Sequence, residues 1–205
     1  MRIVVCGDSF CSKDPAAPGK HFSELLDAEV INLARGGISN SAIFMQLHKA
    51  LHTYDPDVII YSETDPARMT IPVSDVPFNP GNPLDNIRYD NADTTRHFVS
   101  HTIPSILGEL DLGLEKHTVS AVKDYFNVLY DPEMQSFLDH EMFKGYVARA
   151  QRLGIQTVCL NTDVPDVYKE AWELNDNPVD WVFHTSFECQ ERAAEIIKGI
   201  LNYGN

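Results

Sequence analysis

No run of apolar residues in this sequence is long enough to cross a bilayer: the strongest, residues 3–6 and 58–61, are strand-sized, far short of the ~20 residues a membrane helix needs. Basic residues are scarce. Lys and Arg number 16 against 30 Asp and Glu, a formal net charge of −14, so the chain repels phosphate backbones and anionic surfaces, and neither nucleic acid nor membrane is expected as a partner. The four cysteines, Cys6, Cys11, Cys159 and Cys189, include no CxxC pair, and two lie in strand-like apolar runs. That pattern fits buried reduced thiols, not a disulfide framework or a zinc site. A signal-peptide pattern is also missing, because residues 1–9 turn polar too early, and the protein is expected in the cytoplasm. There is no GxGxxG and no GxxxxGK[ST] loop for a nucleotide. His97 and His101, with Asp93, could share a helical face, but no third ligand is anchored beside them; no metal and no organic cofactor are expected.

What is present is a chain of 205 residues with 43% apolar and 10% aromatic side chains, enough for one α/β domain over residues 1–205. Three short apolar runs, 2–6, 29–33 and 57–61, read as strands buried on both faces, separated by helical segments at 21–26 and 41–54. In the second segment Ile43, Leu47, Ala50 and Leu51 form one stripe, with Ser39 or Asn40 as N-cap. Between about residues 66 and 113, Pro72, Pro77, Pro80, Gly81, Pro83 and Pro104 break the pattern, and this is read as an irregular insertion with helical character near 97–110. A short helix is expected within 114–129, and a long one over 132–153 with Met134, Phe137, Leu138, Met142, Tyr146, Val147 and Ala150 on its apolar face. A fourth strand at 155–160, an irregular stretch at 161–183 and a last helix at 187–201 complete the chain. Strands alternating with helices predict a mostly parallel sheet between two helical layers, with ligands bound beyond the carboxyl ends of the strands.

The chemistry-bearing residues stand at those ends. Gly7-Asp8-Ser9 follows the first strand directly, which delivers the Ser9 hydroxyl to the sheet edge as a candidate nucleophile; the same tripeptide also makes ordinary turns. A serine needs a base, and His184, just before the last helix and four residues after Asp180, is the candidate. Donors for an oxyanion are available from the loop after the second strand, through the Gly37 amide and the Asn40 side chain, and from Ser62-Glu63-Thr64-Asp65 after the third. Arg68, just beyond, reads as an ordinary ion-pairing arginine or as a contact for an anionic substrate.

In this combination the sequence resembles the SGNH hydrolases, the GDSL esterase/lipase family. Gly7-Asp8-Ser9 matches the first block, Gly37 the glycine of the second, and His184 the histidine of the fifth. The resemblance covers residues 1–64 and 151–205 and implies a three-layer α/β/α, flavodoxin-like fold. It departs from the pattern twice: the third block has Thr64 where the family has Asn, and three residues, not two, separate Asp180 from His184, with Trp181 at the usual acid position. Sequences with such a loosened third block look like phage-encoded or environmental members. The resemblance implies an esterase acting on a small ester, an O-acetyl or short acyl group such as one on a carbohydrate. Ser9 would be the nucleophile, His184 the base and Asp180 its orienting acid; Ser9, Gly37 and Thr64 or Asn40 would hold the oxyanion. Two other functions compete. One is a catalytically weakened binding or structural protein of the same fold, for instance a virion component, and the other is a flavodoxin-like nucleotide or phosphate binder.

Overall fold

A computed structural model describes residues 1–36, 38–72, 95–99, 116–165, 181–182 and 185–201. Its central feature is a four-stranded, wholly parallel sheet. The strands are β1 (Arg2–Cys6), β2 (Glu29–Asn32), β3 (Val58–Tyr61) and β6 (Gln156–Cys159), in the spatial order β2-β1-β3-β6. Register runs from Ile3 opposite both Val30 and Val58 to Tyr61 opposite Cys159. This order places the chain reversal between β1 and β3, the position at which open parallel sheets bind ligands beyond their carboxyl ends.

Side chains alternate across the sheet, so each strand feeds two cores. Ile3, Val5, Val58, Ile60 and Val158 face one side, where they pack with Phe22, Leu26 and the last helix, α5 (Phe187–Ile200), through Ala193, Ala194 and Ile197. Val4, Cys6, Ile59, Tyr61 and Cys159 face the other, against Ile43, Leu47 and Ala50 of α1 (Asn40–Thr53) and Phe143 and Ala150 of α3 (Pro132–Arg152). The fold is thus three-layered α/β/α. All four cysteines are buried and free, and burial pushes the Cys6, Cys11 and Cys159 thiols above their usual range.

Local signals set the helix ends. Ser39 is the N-cap of α1, and Asn40, the other candidate, is its first residue. Asp131 caps α3 by accepting from the Glu133 and Met134 amides at 3.0 and 3.1 Å, with Pro132 next to it; Gly154, at φ 76°, lets the chain leave for β6. The short helix in 114–129 is α2 (Lys116–Asp124), extended by a π-helical turn over Tyr125–Leu129. Residues 160–163, expected to be irregular in part, form a single helical turn, α4 (Leu160–Asp163).

Two expectations are corrected. Residues 95–99 are not helical: β5 (Thr95–Val99) pairs antiparallel with β4 (Arg68–Pro72), so His97 lies on a strand and shares no helical face with His101, which lies outside the described residues. The pairing is non-local, and no helical period within residues 95–99 could reveal it. The second concerns α3, where Met134, Phe137, Leu138 and Met142 are exposed, not core-facing. At ~1.5 Å per residue this 21-residue helix is about 32 Å long, roughly twice the length of the strands, so only its second half lies on the sheet. No helix among the described residues is long and apolar enough to cross a membrane.

Candidate functional site

The site grows from the turn after β1. Gly7 has φ 149° and lies so close to its neighbours that a β-carbon there would sit 2.7 Å from Cys11 Sγ and 2.9 Å from Cys11 Cβ, with Ser62 Oγ closer still. Only glycine fits. The Gly7 amide donates to the buried Gln46 side chain of α1 at 2.7 Å, and its carbonyl accepts from the Arg35 amide at 3.0 Å. Those bonds tie the turn to α1 and to the loop after β2. They bring Ser9, which is largely buried, beside that second loop: a β-carbon on Gly36 would stand 3.6 Å from Ser9 Cβ.

Asp8 is the centre of the arrangement. Its carboxylate, 2% exposed, accepts from the Thr64 hydroxyl at 2.8 Å and from Arg68 Nη1 at 2.9 Å on one oxygen. On the other it accepts from the Phe10 amide at 3.1 Å and the Ser62 hydroxyl at 3.4 Å. One buried side chain therefore binds the residues on either side of Ser9 to the loop after β3. Arg68, read from the sequence as an ordinary ion-pairing residue or a substrate contact, is the cation of this internal pair, with 17% of its side chain exposed.

Beyond Tyr61 the third strand leaves the ladder, and two asparagines replace its lost partners. Asn161 accepts from the Glu63 amide at 2.7 Å and donates to the Glu63 carbonyl at 3.2 Å. Asn40 accepts from the Thr64 amide at 2.9 Å and donates to the Thr64 carbonyl at 3.0 Å. The second Asn40 amide proton goes to the buried Asp139 at 2.7 Å, and Gln135 completes Asp139 at 2.8 Å. Burial raises the pKa of Asp139 although these two donors oppose it; burial also raises that of Glu63, assisted by Asp139 and opposed by His140.

Of the residues singled out in the sequence, Ser9, Thr64 and Asn40 meet at one sheet edge, joined through Asp8 and Thr64. Gly37, Asp180 and His184 lie outside the described residues. Thr64 gives its hydroxyl proton to Asp8, and both Asn40 amide protons are taken by Thr64 and Asp139. His21, the buried histidine nearest the turn, has Nδ1 2.8 Å from Ser23 Oγ and Nε2 3.3 Å from the Phe10 carbonyl, and burial lowers its pKa to about 4. It is a neutral structural residue. Asp139, Gln46 and Asn161 escaped the sequence reading. A polar residue on an apolar helical stripe, as Gln46 is between Ile43 and Leu47, was the available signal.

An apolar cleft opens beside the turn, lined by Phe10, Phe22, Leu160, Val164, Thr185, Gln190 and Ala193. Among the described residues no group of three or more His, Cys, Asp or Glu is placed to hold a metal ion.

No protein-family model and no curated protein matches the chain. Among solved structures it is similar to TesA, at 10% identity and a TM-score of 0.44 over 98% of both chains. It is also similar to a lipolytic protein of the G-D-S-L family from Desulfitobacterium hafniense DCB-2, at 12% identity and 0.39 over 97% of this chain and 98% of that one. A third is the acetyl xylan esterase AlAXEase, at 11% identity and 0.41 over 98% of this chain and 100% of the other. A likeness at this level assigns neither family nor activity to this chain.

Proposed function

We propose that the chain is a serine hydrolase of small esters, of the SGNH type. The observation that supports it most is a shared cleft. Phe10 follows Ser9, Thr185 follows His184, and both line the same apolar recess at the carboxyl edge of the sheet, although 175 positions separate them. A nucleophile on the turn after β1 and a base ahead of α5 are thereby carried by segments that converge.

In this reading His184 takes the Ser9 proton as Oγ attacks the ester carbonyl, and the carbonyl π pair moves onto oxygen. The backbone amides of Ser9 and Gly37 receive that oxyanion. Thr64 can join with its hydroxyl only by releasing Asp8, and Asn40 only by releasing the Thr64 carbonyl or Asp139. Collapse expels the alcohol, which takes the proton from His184, and water then releases the acid by the same steps in reverse. Asp180 orients the imidazole. The substrate is an O-acetyl or short acyl ester, such as one on a carbohydrate, and the site of action is the cytoplasm, or the virion for a phage-encoded chain.

Steady-state hydrolysis of an aryl acetate tests this. Ser9→Ala and His184→Ala should each remove most turnover, on the order of 10³-fold or more, and the double variant should be little worse than either, because the pair acts as one unit. Asp180→Asn should cost a large part of turnover with the fold intact, as wrong-tautomer substitutions do. Wild type and Ser9→Ala hydrolysing a broad ester panel equally slowly would contradict the assignment. A second reading, a binding or structural protein of this fold, is favoured by one observation: the side-chain protons of Thr64 and Asn40 are already committed. That outcome of the assay would make it the better account.

A further inference from the structure

The Asp8–Arg68 pair has no place in the steps above, yet it is the most heavily built feature of the sheet edge. Asp8 sits beside Ser9 in the chain and holds the far side of the turn by accepting the Phe10 amide. Arg68 opens β4 at the end of the loop after β3, and its Nη1 reaches both Asp8 Oδ2, at 2.9 Å, and the Ile38 carbonyl, at 3.5 Å. One guanidinium thus touches the turn that bears the nucleophile and the loop that flanks it from the β2 side. A Lys at this place could supply charge but not a planar fork.

The arginine's Nε is buried and has no hydrogen-bond partner among the described residues, so its contacts to the turn and the flanking loop run through Nη1. The Thr64 hydroxyl shares the same Asp8 oxygen, so the third-block residue serves the carboxylate and not the reacting carbonyl. We infer that Arg68 is a positioning residue: through Asp8 it fixes the conformation of the Ser9 turn, and with Thr64 it makes the third loop a support for the nucleophile in place of an oxyanion donor. This inference rests on the hydrolase reading above.

The test is the rate at which a fluorophosphonate labels Ser9, measured with aryl-acetate kinetics in wild type, Arg68→Ala and Arg68→Lys, each checked for folding by circular dichroism. Arg68→Ala should slow labelling and lower kcat by about 10- to 100-fold, the size of effect a small misplacement of a reacting group produces, with KM within about twofold of wild type. Millimolar guanidinium should restore part of the loss in Arg68→Ala and none in wild type. Arg68→Lys should fall between the two, and it carries the test if Arg68→Ala does not fold. Wild-type labelling at Ser9 with unchanged rates in a folded Arg68 variant would overturn this inference alone. A loss confined to KM, or one that guanidinium and lysine both leave unrepaired, would also overturn it, leaving a merely structural ion pair. A wild-type chain unlabelled at Ser9 would overturn the hydrolase reading and this one together.

Discussion

A methyl group at Gly7 has no room, because its place is occupied by the Cys11 and Ser62 side chains and the backbone there is in a region that L side chains rarely adopt. Gly7→Ala should therefore destabilise the chain by about 2–4 kcal/mol, combining backbone strain with overpacking, and urea unfolding will measure it. His21 offers a second residue-scale test. Burial lowers its folded pKa from the ordinary 6.5 to about 4, so the unfolded chain binds the proton more readily than the folded one between those values. The shift therefore costs nothing above about pH 6.5, where His21 is neutral in both states, and lowers stability as pH falls toward 4, by on the order of 3 kcal/mol. Urea midpoints at about pH 7.5 and about pH 4.5 should differ less in His21→Gln than in wild type. Equal pH dependence in the two would show that His21 does not carry the effect.

At the scale of elements, α3 separates what its sequence pattern suggests from what the sheet accepts. Phe143 is buried, stacked 5.5 Å from the Tyr61 ring and edge-on to Phe44 at 4.7 Å, whereas Phe137 is exposed. Phe143→Ala should cost about 3–5 kcal/mol by thermal or urea unfolding, and Phe137→Ala less than about 0.5 kcal/mol. Equal costs would mean that the first half of α3 is also packed. The same contrast shows how far the sequence was legible. The four sheet strands, α1, the extent of α3 and α5 were readable, because apolar runs of strand length and helical stripes are local properties. Which face of α3 is buried was not, because it depends on where a helix longer than the sheet comes to rest. The β4–β5 pairing was hidden for a related reason, since its strands lie on either side of a Pro-rich stretch. In the site, the place of Ser9 after β1 was legible from the apolar run 2–6 followed directly by Gly7-Asp8-Ser9. Its support was not: Thr64 and Arg68 reach Asp8 across 56 and 60 residues, and no motif encodes contacts at that separation.

At the scale of the whole molecule, the order β2-β1-β3-β6 assembles the site, because it makes β1 and β3 neighbours and so brings the turn after β1 within reach of Ser62, Thr64 and Arg68. The apolar cleft shared by Phe10 and Thr185 begins one residue beyond Ser9, on the turn that the Asp8 network holds. The formal charge of −14 adds a field that disfavours anionic substrates at low salt, so neutral esters should be turned over with little salt dependence and esters bearing a carboxylate should gain from added salt. Initial rates for the two ester classes across a salt series would show it, and identical salt responses would contradict it. An activated Ser9 nucleophile is tested most directly by the intact mass and peptide map of the chain after reaction with a fluorophosphonate. One adduct per chain is predicted, on the peptide that contains Ser9, absent in Ser9→Ala and strongly reduced in His184→Ala. An unmodified chain, or an adduct on another serine that persists in Ser9→Ala, would contradict the account.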